Sequence, residues 1–127
     1  MALTTMLVVR DLTAAKHFYV DVLGAELYRE YGGTSTVLKF LGNWLLLVTG
    51  GAPTPDKPTV TFAPPGDPDE VSHAFTIRVT DCQGCYETLS SRGATFLTPP
   101  RRSDSGAEIR AFFRDPDGHL FEISQAG

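Results

Sequence analysis

The chain has 127 residues, 42% hydrophobic and 20% charged, which suits one ordinary globular domain that buries its own core without a metal or a disulfide framework. A net charge of −4 and a pI near 5.2 argue against nucleic acid as a partner. No apolar run is long enough to span a membrane, and Met1–Val9 meets Arg10 and Asp11 too early for a secretory signal, so a soluble cytoplasmic protein with no membrane partner is expected.

Met6-Leu-Val-Val-Arg-Asp11 reads as a short apolar strand ending at Asp11. A helix follows, because Ala15, Phe18, Tyr19 and Val22 recur at helical spacing, with Thr13 as its expected N-cap and Gly24 just past its end. Strands are then expected at Glu26–Tyr31, Thr34–Leu41 and Trp44–Thr49, with Gly42-Asn43 as the hairpin turn between the last two. Gly50–Glu70 holds six of the nine prolines. Its centre, Pro58–Phe62, alternates and could form an edge strand, whereas its Pro-rich ends fit neither a helix nor a central strand.

The same order then repeats. Phe75–Asp81 is again a strand ending in Val-x-Asp, and Cys82, Cys85, Tyr86 and Leu89 carry the stripe of a second helix closed by Gly93. Strands are expected at Thr95–Thr98, Glu108–Arg114 and Leu120–Ser124, with a turn at Asp117-Gly118. The two Val-x-Asp motifs lie 70 residues apart, the two Gly-Ala pairs that close the helices 69, and the two hairpin glycines 76, so the second half carries extra residues, placed in the loop Pro99–Gly106. The fold expected is α+β: two tandem βαβββ modules in one domain, residues 1–50 and 71–127, joined by a Pro-rich linker at 51–70. The charge is uneven. Residues 1–63 hold five Lys/Arg and five Asp/Glu; residues 64–127 hold six and ten. The excess is expected to be largely surface, in Asp67–Glu70 and the Asp115–Asp117 turn.

With Val-x-Asp-Leu, Phe-Tyr and Leu-Gly in one half, and Arg-Asp-Pro-Asp-Gly-His-Leu-Phe-Glu-Ile in the other, the whole chain resembles the vicinal oxygen chelate superfamily. This group includes glyoxalase I, extradiol dioxygenases and bleomycin-resistance proteins. The resemblance implies a curved, cup-like mixed sheet with helices outside, a homodimer, and a small-molecule site in the cup. It also implies four metal-ligand positions, which fall here on Thr4, Leu46, Ala74 and Glu122. Only Glu122 is a ligand type, and a divalent ion needs several convergent donors. No metal or other cofactor is therefore expected; if one binds, it is a divalent cation held by His73 and Glu122 through a local strand irregularity.

Within that frame, parity points Thr4, Met6, Trp44, Leu46, Ala74, Thr76, Arg78, Leu120 and Glu122 at the ligand, and Phe113 is expected to line the site beside them. Glu122 is the candidate acid–base group or polar anchor, or alternatively a carboxylate paired with an interior arginine. Arg78 is a candidate partner for a ligand carboxylate or for Glu122. His73 sits one residue off the ligand position, which puts it on the other face unless a bulge turns it. His119 is expected on the outer face of a turn, and His17 in solvent. Arg101-Arg102 reads as a solvated loop or as a grip for an anion at the mouth of the site.

Three functions are open. One is a metal-independent protein of the bleomycin-resistance type that holds an aromatic or cationic compound. A second is a metal-dependent lyase, isomerase or dioxygenase with a rearranged metal site. The third is a thiol redox protein through Cys82-Gln-Gly-Cys85, whose first thiol opens a helix.

Overall fold

Strand β1 (Thr4–Val9) shows the period of two of a sheet with one covered face: Leu7 and Val9 are buried, Thr4 and Met6 exposed. The computed structural model describes all residues, 1–127. Asp11 ends β1 and caps the helix after it. Its carboxylate accepts from the backbone N–H of Thr13 (2.9 Å) and Ala14 (3.2 Å). Asp11, not the expected Thr13, is therefore the N-cap of α1 (Leu12–His17), because the extended backbone that a cap needs occurs at Asp11. The helix widens into a π-helical segment at Phe18–Val22. The expected stripe of Ala15, Phe18, Tyr19 and Val22 is buried, and Gly24, at φ +82°, closes the segment.

Strands β2 (Glu26–Tyr31), β3 (Ser35–Phe40) and β4 (Asn43–Thr49) complete a sheet of order β1-β4-β3-β2. β1 runs parallel to β4, with Thr4 opposite Trp44 and Met6 opposite Leu46. The β3–β4 turn falls one residue earlier than expected. Phe40 pairs with Asn43, and the two turn residues, Leu41 and Gly42, have φ of +51° and +79°. Positive φ at both central residues gives the turn a twist that matches the flanking strands.

Residues 51–66 pack with this first unit, which spans Met1–Gly66. Gly51 and Phe62 exchange backbone hydrogen bonds of 3.0 and 2.9 Å, and the Lys57 ammonium donates to the carbonyls of Ala52 and Val60. Pro58–Phe62, expected as an edge strand, contributes only that single bridge at Phe62. Pro58 has no N–H to offer a ladder, and Lys57 ties the segment into a loop.

The second unit, Asp67–Gly127, repeats the plan. β5 (Phe75–Arg78) leads to Asp81, whose carboxylate accepts from the N–H of Gly84 and caps α2 (Cys82–Ser91). A side chain at Gly84 would run into that carboxylate. The expected strand Thr95–Thr98 does not form. Phe96 makes one bridge to Phe113, and the two-residue β6 (Arg101–Arg102) takes the sheet edge instead, since Pro99-Pro100 lack the donors that a ladder needs. β7 (Glu108–Arg114) and β8 (Leu120–Ala126) form the hairpin, and the sheet order is β5-β8-β7-β6 with β5 parallel to β8.

Each unit is thus a βαβββ module with a four-stranded mixed sheet, and the α+β class holds. In the first, Leu7, Val9, Tyr19, Leu38 and Leu47 are fully buried; in the second, Cys82, Phe113, Phe121 and Ile123 are. Phe121 stacks between Phe113 (5.2 Å) and Phe75 (4.8 Å). No helix is long and apolar enough to cross a membrane.

Candidate functional site

In the first unit the sheet turns one face to its helix and leaves the other open. Leu45 and Leu47 lie on the covered face, so strand parity puts Trp44, Leu46 and Val48 on the open one, level with Thr4, Met6 and Val8. Trp44 is half-buried. The ring of Tyr28, on β2, meets it edge-on at 4.9 Å and 79°, and the Lys39 ammonium lies 5.1 Å from its centroid. Edge-to-face rings and a cation over an indole are favourable electrostatic arrangements. Tyr28 and Lys39 escaped the sequence reading: β2 is exposed along its whole length and carries no alternation to reveal which residues meet Trp44.

In the second unit the open face is polar. Glu122 is 8% exposed and lies between Thr76 on β5 and Phe112 on β7. Its Oε2 sits 3.8 Å from the Arg110 guanidinium, which also approaches Glu108 at 3.5 Å and covers the Phe112 ring at 5.4 Å. The hydroxyl of Ser124, fully buried, donates to Glu108 Oε2 at 2.5 Å. Arg110, two strands from β5, takes the place beside Glu122 that Arg78 was a candidate for; Arg78 is exposed opposite Ser124. Ala74 and Thr76 are exposed and Leu120 is half-buried.

Two expected members are elsewhere. Phe113 is fully buried on the helix-facing side, opposite Phe121, because Phe112 and not Phe113 shares the parity of Glu122. His73 is exposed with its ring edge-on to Phe75 at 5.8 Å, and Phe75 stacks on the core side of the sheet. No bulge turns it, so His73 and Glu122 do not form the pair a metal would need.

The Asp115–His119 turn also differs from expectation. Asp115, Asp117 and His119 are all buried rather than on the surface. Asp115 Oδ1 accepts from the N–H of Asp117 (2.9 Å) and of His119 (2.8 Å), which folds the loop inward and closes the β7–β8 hairpin. His17 is exposed, as expected, with Nδ1 2.7 Å from Asp21.

The thiols are quiet. Cys82 is fully buried, its backbone N–H held by Gln125 at 2.8 Å, and Cys85 is half-buried; both are free. Burial first, and then the nearby negative charges of Cys85, Asp81 and Glu122, push the Cys82 thiol up from its ordinary value. Burial also pushes up Cys85, with Asp81 adding to it. These effects oppose the help expected from the helix N-terminus.

A metal does not fit the donors present. The four positions supply one carboxylate, one hydroxyl and two hydrocarbon side chains, and a guanidinium already stands beside the carboxylate. Nowhere do three His, Cys, Asp or Glu side chains gather as a metal-binding group.

The chain is thus a tandem of two βαβββ modules, each with a four-stranded mixed sheet of the same strand plan. The model of the Glyoxalase/Bleomycin resistance protein/Dioxygenase superfamily matches residues 2–123, and the chain belongs to that superfamily. A probable lactoylglutathione lyase of Synechocystis sp. is 25% identical over 128 residues, covering 97% of this chain and 93% of that protein. A glyoxalase/bleomycin resistance protein/dioxygenase of Alicyclobacillus acidocaldarius is 25% identical with a TM-score of 0.70, covering 99% of this chain and 91% of the other. The fosfomycin resistance protein FosX of Listeria monocytogenes, solved with Mn(II) and sulfate, shares the fold at a TM-score of 0.74 and 17% identity, covering 100% of this chain and 90% of its own.

Proposed function

We propose that the protein binds a small aromatic compound without a metal, with Trp44 as the stacking platform. The observation that carries this is the half-buried Trp44 ring, held edge-on by Tyr28 beside Lys39 on an open sheet face with Met6 and Leu46. Large flat apolar groups flanked by a few polar ones are what small-molecule sites use. A cationic ligand is less well supported, since Lys39 already stands over the indole and Arg110 beside Glu122. In this reading Thr4, Met6, Trp44 and Leu46 contact the ligand from the first unit. On the second unit's own sheet, Thr76, Leu120 and Glu122, with Ala74 and Arg78, are the candidate contacts for a ligand of that face. In this reading the chain is one domain and the protein is cytoplasmic, in a homodimer of the kind that the family resemblance suggests.

Trp44 is the only tryptophan, so its fluorescence reports the site directly. Titration with a panel of planar aromatic compounds should give saturable quenching, retained in excess EDTA and abolished by Trp44→Leu through loss of the signal and, by calorimetry, of the heat. Quenching that appears only with added Mn(II), Ni(II) or Zn(II) would reverse the proposal.

The relatives favour a second reading, a metal-dependent lyase or a resistance enzyme, because one relative is a probable lactoylglutathione lyase and FosX was solved with Mn(II). The donor set weighs against it here.

A further inference from the structure

Away from Trp44, the second unit holds a cavity of about 240 Å³ at the β6 edge of its sheet, on the face that carries Glu122, with Phe112, Thr98, Arg101 and Arg110 among its walls. We infer that this cavity binds the oxyanion head, a carboxylate or a phosphoryl group, of a small organic acid.

The argument rests on β6. Arg101 and Arg110 are direct partners across the antiparallel β6–β7 pair, so their side chains leave the same face of the sheet side by side. Like charges directly opposite one another destabilise a strand pair. The short β6 nevertheless forms here, immediately after two prolines that would otherwise release the edge. Arg110 has Glu108 at 3.5 Å and Glu122 at 3.8 Å to offset its charge, but Arg101 has no carboxylate partner. Arg102 also borders the cavity, with its Nη1 donating to the Gly106 carbonyl at 3.1 Å, which pins the far side of the loop. The one acidic group on the lining is Asp104, against three guanidiniums.

An oxyanion seated between Arg101 and Arg110 removes the repulsion and accepts paired N–H bonds from two planar forks, the geometry that suits carboxylate and phosphoryl groups. The Phe112 ring, already under the Arg110 guanidinium at 5.4 Å, gives the carbon skeleton of the acid an apolar floor. The Thr98 hydroxyl on the same lining donates to the Pro99 carbonyl at 2.8 Å. All of these residues belong to the second unit, so the inference stands apart from aromatic binding at Trp44 and does not need it.

Calorimetric titration of the whole chain at low salt with benzoate and with phenylphosphonate tests it. Saturable binding of either is expected, and whichever binds tighter identifies the head group. Arg101→Gln should weaken it about tenfold, the size of one charge-assisted contact of ~1.4 kcal/mol. Arg92→Gln, an exposed arginine at the end of α2 and away from the cavity, should leave it unchanged. Arg101→Gln removes an exposed side chain, and unchanged unfolding of that variant separates lost binding from lost structure. No saturation by either acid, or equal weakening in Arg92→Gln, would overturn the inference. Loss of Trp44 quenching by aromatic compounds would leave it untouched.

Discussion

Arg110 sets its guanidinium 3.8 Å from the carboxylate of Glu122, the one ionisable side chain among Thr4, Leu46, Ala74 and Glu122, the positions that the family resemblance suggests for a metal. A cation of the protein thus already stands beside that carboxylate. Glu122 is nearly enclosed, whereas Arg110 is about two-fifths exposed, so the pair is only partly desolvated. Replacing Arg110 with Gln removes the cation and leaves a buried carboxylate; unfolding by urea should show a loss of about 1 kcal/mol, less than for a fully buried pair. Glu122→Gln in the same background should cost less than the sum of the two changes, because each variant already breaks the shared contact.

Asp115 holds the β7–β8 turn by accepting two backbone N–H bonds while buried. Asp115→Ala would leave both donors without that acceptor, and a stability loss of about 2 kcal/mol is expected in thermal or chemical unfolding. Both bonds reach the same oxygen, so Asp115→Asn keeps an acceptor for the two N–H groups, gives up only the charge, and should lose less than Asp115→Ala.

Leu41 sits at φ +51° in the β3–β4 turn, a conformation that disfavours a side chain of its kind. It is exposed, so nothing packs against it to repay the strain. Leu41→Asn makes the Asn-Gly pair preferred in this turn, and a gain of about 1 kcal/mol, read as a higher Tm, is the expected outcome.

Cys82 and Cys85 titrate above the ordinary thiol range because of burial, so both stay protonated in the folded chain where the unfolded chain begins to ionise. In the folded state more protons are held above a pH of about 8.5, and stability falls as pH rises through that range. Alkylation by iodoacetamide at pH 7 should therefore be slow, and it should accelerate as the pH is raised. Rapid alkylation at pH 7, or a disulfide between the two, would restore the redox reading.

The pattern of strand, helix and three strands was legible because the elements that carry it are buried on one face and therefore alternate or step by helical spacing: Leu7 and Val9, the stripe from Ala15 to Val22, the two glycines Gly24 and Gly93. The first Val-x-Asp motif begins at the last residue of β1, whereas β5 stops at Arg78, just before the second, and in both the Asp caps the helix that follows. What sequence could not show depends on contacts across strands or on how a loop is stitched. Arg110 meets Glu122 only because β7 and β8 pair in one register, and Phe113 falls on the covered face for the same reason. The short β6 and the missing Thr95–Thr98 strand follow from two prolines whose effect on an edge depends on which neighbour claims it. The buried acids at Asp115 and Asp117 look solvated in sequence, since nothing in the residue types shows that their carboxylates and backbones turn inward.

Equilibrium dialysis of the purified chain against Mn(II), Ni(II) and Zn(II), followed by elemental analysis, tests the central claim most directly. Content well below one ion per chain is predicted, unchanged by Glu122→Gln. Stoichiometric metal in the native chain that is lost in Glu122→Gln would contradict it.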